Sequence, residues 1–453
     1  MNENELLEFC KNIVMEGIKR GADAIEVLAN LGKEVVSSIQ MAEVSQVRSV
    51  DSAEVAIRLF KGRRMGSAFT NISTLEAGIE ALELALSAAK ATTPDEDWVS
   101  LPTNVGTYAT MTDFWYDEVA ACDPSQVVNI SRSLIEEGKK SEPGLIPVGG
   151  ASGAFSYISA YANSNDVEHA QKGTASYGSL SAVAPTESGM TPGTVFFELQ
   201  RNMNLNINKI VQPVAETIRL CKRTADGKTG KHTVILHPQA YAPIFQNTLV
   251  QSVRGDNVAR GTSKIGDKIG EKIASSPVTI VDDGLHPRGI ASSEADDEGV
   301  PRRKTTIIEK GVLRSFLWDT YWANKMGVTS TGNASRNMRQ GLVEISKTTF
   351  VYQPGNRMIE EIISEIDHGY YIQSVQGAHS ANPESGDFSV VGNPAMLIEN
   401  GKLAGAVHGL MLAGNTFDLL LQVKETARTP IYLLGTIGPE IVIEGLSVVA
   451  KED

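Results

Sequence analysis

The side chains able to hold a metal, move a proton or attack a carbonyl are sparse in this chain, and their spacing excludes the commonest constellations. Seven histidines occur: His169, His232, His237, His286, His368, His379 and His408. None precedes a glutamate and no two stand four residues apart, so neither zincin nor inverzincin spacing exists. Gly150-Ala-Ser-Gly-Ala154 fails at the last glycine of a nucleophile elbow. Gly261-x-x-x-x-Gly266 reaches Asp267 where a phosphate loop needs lysine, and a carboxylate there repels phosphate. Asp282-Asp283-Gly-Leu-His286, with Asp296-Asp297-Glu298 further along, is a candidate metal cluster of two carboxylates and an imidazole. The reading favoured over it is turn chemistry, in which such residues hydrogen-bond their own loops.

A third group is uncharged. Gln246, Asn247 and Gln251 fall within a segment whose apolar spacing predicts a helix over about Gln239–Val253. On that helix Tyr241, Phe245, Leu249 and Val253 share one face and Asn247, Gln251 and Arg254 another. Gln246 and Gln251 are separated by about 140° on a straight helix, so they meet only if it bends. The amides form either a solvated or partner-facing surface, which is the favoured reading, or a cleft that hydrogen-bonds a peptide backbone.

The elements that must position these residues divide into two kinds. Residues 3–21 read as an amphipathic helix. Short apolar or alternating runs follow at Ala24–Ala29, Val35–Met41, Val44–Val50, Glu54–Lys61 and Arg64–Thr70, with turns expected at Gly32-Lys33 and Gly62-Arg63. Ser73 or Thr74 should cap a helix to about Ala91. A helix over about Pro124–Lys140, strands at Ala154–Asn163, Gly173–Ala184 and Gly193–Leu199, and a helix near Ile210–Lys222 come next. Thr224–Gly230 is polar and glycine-rich, and many short strands lie beyond it, with Asn400-Gly401 as a type I′ hairpin turn. The expected organisation is α+β: an N-terminal α/β subdomain over 1–100, a central α+β subdomain over 101–224, and a β-rich, barrel- or sandwich-like domain over 231–453 that carries the amide-bearing helix.

Composition narrows the class. The 453 residues carry 41 Lys and Arg against 54 Asp and Glu, a net charge of −13, which repels a phosphate backbone and disfavours direct nucleic-acid binding. Three scattered cysteines, Cys10, Cys122 and Cys221, form no C-x-x-C pair and suit a reducing compartment. The acidic start lacks the pattern of an export signal, and no apolar run reaches membrane-spanning length. A cytoplasmic protein without membrane insertion is expected.

Several motifs then point in one direction: Phe245-Gln-Asn-Thr-Leu-Val-Gln251 leading to Gly255-Asp256, Tyr161-Ala-Asn-Ser164, Glu298-Gly-Val-Pro301, Ile308-Glu-Lys-Gly311, Thr331-Gly-Asn333 and Gly386-Asp-Phe-Ser389. Together they resemble the TldD/TldE (PmbA) family over most of the chain, most closely from about His232 to Asn415. The catalytic branch of that family reads His-Glu-x-x-x-His, then Gly-Asp, and draws a late cysteine to its metal. Laid on that pattern, the first His falls on Gln246, the Glu on Asn247 and the second His on Gln251, and no cysteine follows Cys221. An imidazole donates a lone pair to zinc and a carboxylate takes a proton from its water, whereas a carboxamide does neither well.

The resemblance therefore implies a TldE/PmbA-type, noncatalytic subunit with no catalytic residue and no cofactor of its own. Zinc is expected in the partner subunit. It implies a dimer, with a TldD-like catalytic paralogue or a second copy, acting on unfolded peptides. Two alternatives stand beside it: peptidase activity through Asp282, Asp283 and His286, and a protein-binding modulator role suggested by the family's association with DNA gyrase.

Overall fold

The computed structural model describes residues 1–71, 74–187 and 189–451. Its N-terminal part is built on one antiparallel sheet. Strands β1 (Ala24–Gln40), β2 (Glu43–Lys61), β3 (Arg64–Asn71), β4 (Ile146–Asn163), β5 (Glu168–Val183) and β6 (Thr194–Gln200) pair in the order β3-β2-β1-β4-β5-β6. Stretches 1–100 and 101–224 thus contribute neighbouring strands to the same sheet, joined between β1 and β4 over a ladder from Glu26↔Asn163 to Gln40↔Gly149.

The turn expected at Gly32-Lys33 does not exist, and five expected runs are three long strands. Gly32 is extended and pairs with Ser52 on one side and Tyr157 on the other. A Cβ at Gly32 would meet Ser52 Oγ at 2.7 Å, so here glycine serves close packing and makes no bend. The chain reverses instead at Met41-Ala42, both in left-handed backbone with φ of 49° and 63°. The turn at Gly62-Arg63 is where it was expected, with φ of 58° and 59°.

Helices cover one face of this sheet. Helix α1 (Glu3–Lys19) and helix α2 (Leu75–Ala91) bury Leu6, Cys10, Ile13 and Leu82 against Ile25, Val27, Ile57 and Leu59. Thr74 caps α2 by accepting from Ala77 N–H at 3.3 Å, while Ser73 lies outside the described residues. Where α2 crosses β3, a Cβ at Gly66 would come within 2.0 Å of Ala85 O, so only glycine allows this approach. Helices α3 (Pro124–Ser141) and α4 (Ile207–Cys221) cover the other half through Leu134, Leu180, Ile210, Val214 and Ile218. Each such aliphatic side chain contributes roughly 1.5–3 kcal/mol by leaving water.

The C-terminal part is β-rich, with a nine-stranded and a six-stranded sheet around a core that includes Tyr241, Phe245, Phe350 and Tyr370. Asn400-Gly401 makes the expected hairpin turn with both φ values positive.

The two parts are joined by charge as well as by apolar contact. Glu26 on β1 is wholly buried, yet Arg58 Nε donates to its Oε1 at 2.5 Å, Tyr161 Oη donates to its Oε2 at 2.6 Å, and Arg336 also reaches Oε1. Arg58 Nη2 then donates to Glu298 Oε1 at 2.8 Å, and Thr320 N–H donates to Glu298 Oε2 at 2.9 Å. Burial alone would raise the Glu26 pKa, but Arg336, Arg58 and Tyr161 prevail and hold it below the usual carboxylate range. A second clasp is Arg201, which lies 4.0 Å from the Phe114 ring and donates to the carbonyls of Gly289, Ile290 and Ser292.

Arg58→Ala leaves two buried carboxylates undercompensated, which costs about 3–5 kcal/mol for a pair broken on one side. Chemical denaturation should show that loss, whereas Arg48→Ala, which breaks an exposed pair with Glu34, should change stability by less than about 1 kcal/mol.

Candidate functional site

The amide-bearing helix starts at a histidine. His237 caps helix α5 (Pro238–Asn247), its Nδ1 accepting from Gln239 N–H at 3.1 Å. Burial lowers the His237 pKa to about 3, so the imidazole is a neutral structural group.

The single helix expected over Gln239–Val253 is broken. It stops at Asn247, Thr248 leaves helical geometry with φ −127° and ψ −79°, and one further turn runs Leu249–Ser252. The Thr248 hydroxyl helps hold the break: it donates to Ile244 O at 2.8 Å and lies 2.9 Å from the Thr416 hydroxyl. Tyr241, Phe245, Leu249 and Val253 are all buried on both sides of the break, as their shared spacing required. The bend brings the ends of the amide segment together, because Gln251 Nε2 now donates to Gln246 O at 3.1 Å.

The other amides are occupied in the same way. Asn247 Nδ2 donates to Pro243 O at 2.9 Å, and Asn257 Nδ2 to Gln251 O at 2.9 Å. Gln246 is exposed, and Asn247 and Gln251 are partly buried. Beside them Arg254 holds buried Asp256 through two bonds of 3.0 Å, and Arg260 adds a third at 2.7 Å. Two guanidiniums against one carboxylate leave a positive surplus next to Gln251, which repels a dication. These residues do not fit a catalytic zinc: the donors are weak, their amide groups are engaged on backbone, and no side chain among Gln246, Asn247 and Gln251 takes a proton.

The acidic candidates occur on separate duties. Asp282 is buried, and its Oδ1 accepts from Thr348 N–H and Oγ1–H, both at 2.8 Å, while Oδ2 accepts from Asn333 Nδ2 at 2.6 Å. Asp283 accepts from Leu285 N–H at 3.2 Å, and His286 Nδ1 from Arg288 N–H at 3.1 Å. Asp296 takes three backbone N–H groups, from Glu298, Val300 and Ala334. Asp297 accepts from Arg336 N–H. Among the described residues no group of three or more His, Cys, Asp or Glu side chains is arranged to hold a metal.

Sequence reasoning passed over Glu26, Arg58 and Arg336. A signal was present for two of them: Glu26 interrupts the apolar run Ala24–Ala29, and Arg58 interrupts Val55–Phe60. Charges so placed are either misfit or paired, and only the fold shows which. Lys347 was passed over too, where burial lowers the pKa to about 8 beside Asp282.

A two-part α+β protein with a site helix of this placement is of metallopeptidase type in fold, with amides at the ligand positions. The chain belongs to the PmbA/TldD family: residues 26–92 match PmbA/TldA metallopeptidase domain 1 and residues 229–450 the PmbA/TldA metallopeptidase C-terminal domain. It is similar to the crystal structure of TldE from Thermococcus kodakarensis, at 33% identity and a TM-score of 0.93, over 97% of this chain and 99% of that one. A Thermotoga maritima protein provisionally named a modulator of a DNA gyrase shares the fold at 23% identity and a TM-score of 0.88, covering 98% and 99%. Among curated relatives, an uncharacterized protein of Methanocaldococcus jannaschii is 35% identical over 47% of this chain and 50% of its own length. A metalloprotease of the same organism is 30% identical over 49% of each. The chain spans about half the length of the curated relatives it matches. Among the described residues no helix is long and apolar enough to cross a membrane.

Two outcomes follow from this geometry. Because the break apposes positions 246 and 251, Gln246→His/Gln251→His should bind zinc at least about tenfold more tightly than the parent chain in calorimetry. The second concerns Asp319, whose carboxyl burial and nearby Glu298 push up to about 8. A carboxyl raised in the folded state favours folding fully below its unfolded pKa near 4, and that favour is lost as pH rises through 8. Asp319→Asn stays neutral and still caps Trp322 N–H, so its melting temperature should match the parent near pH 5 and exceed it at pH 9.

Proposed function

We propose that this chain is a noncatalytic, TldE/PmbA-type subunit of a zinc peptidase complex acting on unfolded or flexible peptides. In this reading the metal and its bound water belong to a metal-bearing relative, and the present chain supplies structure around the substrate. The observation that carries it is the amide set Gln246, Asn247 and Gln251, committed to backbone at the place where the catalytic branch keeps its ligands. The likeness to TldE over nearly the whole chain supports it, as do the matches to relatives named metalloproteases. Three buried, free cysteines favour a reducing cytoplasm as its setting.

What this chain's own residues supply is recognition without chemistry. Exposed Gln246, with both a donor and an acceptor and no charge, suits hydrogen bonding to a peptide backbone of any sequence. A subunit pair built this way separates substrate enclosure from metal chemistry, and the partner is a metal-bearing paralogue, a second copy of this chain, or both in different assemblies.

Co-expression with a metal-bearing relative should give a stable complex with about one zinc per pair, and peptide cleavage should require that complex. The isolated chain should purify without zinc and leave peptides intact. Absence of any association rejects the proposal, and chelator-sensitive cleavage by the isolated chain moves the chemistry to another set, with Asp282, Asp283 and His286 tested first.

A further inference from the structure

The N-terminal sheet contains a long strand edge that nothing in the described chain borders. β2 runs for 19 residues, but β3 pairs only with Glu54–Lys61. Among the described residues no strand lies along the outer edge of Glu43–Ala53. Every residue from Ser45 to Ser52 is exposed, although successive side chains point to opposite faces. Val47 and Val50 stand 42% and 40% exposed, and Met41 at the hairpin tip 66%. Ordering backbone costs roughly 1–2 kcal/mol per residue, and this stretch recovers little of it through burial within its own chain. Val44, Val47 and Val50 repeat every third residue, so they project alternately from both faces. That pattern suits a strand bordered along its edge by another strand more than one with a single covered face.

We propose that this edge docks a second copy of the chain, β2 against β2 in antiparallel pairing, so that one sheet continues across the pair. The inference rests on the two-subunit reading above and assigns it a surface. An exposed edge of unpaired N–H and C=O groups is a template for such addition, and antiparallel pairing of one strand with its own copy is isologous.

The chain also fixes the register. A two-fold axis perpendicular to a sheet keeps each face on its own side, so only residues of equal parity can stand opposite one another. The available room runs from the hairpin tip at Met41 to the first β3-paired residue, Glu54. Its middle residue is Val47. An axis there sets Val47 against its own copy, Val44 against Val50, Ser45 against Ser49 and Gln46 against Arg48, and each hairpin tip abuts the end of the other copy's β3. The like-charged Glu43 and Asp51 meet only at the two ends of the ladder, where solvent and salt screen them. Centring on Arg48 instead would oppose two guanidiniums, and centring on Ser49 would set Val47 against Asp51.

The test uses the full chain. The native cysteines Cys10, Cys122 and Cys221 are buried and do not compete in surface cross-linking. Val47→Cys should form a disulfide-linked dimer on mild oxidation, whereas Ser49→Cys should link only when mixed with Ser45→Cys. In the parent dimer the amides of residues 45–51 should resist hydrogen exchange. Val47→Lys, which opposes two ammonium groups at the centre, should keep the fold and weaken self-association about tenfold or more. A monomeric parent chain overturns the proposal, and so does a dimer in which Val47→Cys fails to link and residues 45–51 exchange freely. Association with a metal-bearing relative is read separately by co-purification and zinc content, so either idea can fail alone.

Discussion

Arg58 sits between two carboxylates from different parts of the molecule, and the architecture depends on that balance. Glu26 and Glu298 are both removed from water, and an isolated buried carboxylate would neutralise or pull solvent inward. Arg58 and Arg336 set two positive charges against them, so the cluster is neutral as a whole but not if any member is removed. Because Glu26 and Arg58 come from the sheet and Glu298 and Arg336 from the C-terminal part, electrical neutrality is reached only when the two parts are docked in one arrangement. Burial of ions is a poor source of net stability, so the value of the cluster lies in the arrangement it specifies.

Motifs distant in sequence meet around this cluster. Tyr161 donates to Glu26, and its ring packs where a Cβ on Gly299 would fall at 2.5 Å, with Gly299 at φ +72°. Asn163 binds the Pro102 carbonyl of the crossing linker, and Asn333 holds Asp282. Tyr161-Ala-Asn, Glu298-Gly-Val-Pro and Thr331-Gly-Asn are thus joint-forming residues. They identify a fold and its docking, which is why they are present in a chain whose site lacks ligands.

The site helix shows the same division between scaffold and chemistry. Its apolar face is wholly retained in the core, and the overall likeness to TldE reaches a TM-score of 0.93. The polar positions are freer, because a surface amide bonded to local backbone disturbs nothing beneath it. Fold and activity part company at three side chains, as expected when function resides in a site carried by a fold.

The sequence by itself determined the α+β class, most helix positions, the Gly62-Arg63 and Asn400-Gly401 turns, and the amides at 246, 247 and 251, because periodicity, turn chemistry and side-chain type are local properties. It did not reveal that Gly32 lies inside a continuous strand, since a glycine required for close packing looks the same as one required for a turn. Nor did it place the helix break at Thr248, which involves a hydroxyl contact with Thr416, or show that 1–100 and 101–224 share a sheet. Only the tertiary structure decided whether Glu26 and Arg58 were paired, and it decided that they bridge two parts of the chain. Charge compensation acts through space between residues as far apart as 26 and 336, and no local pattern encodes that distance.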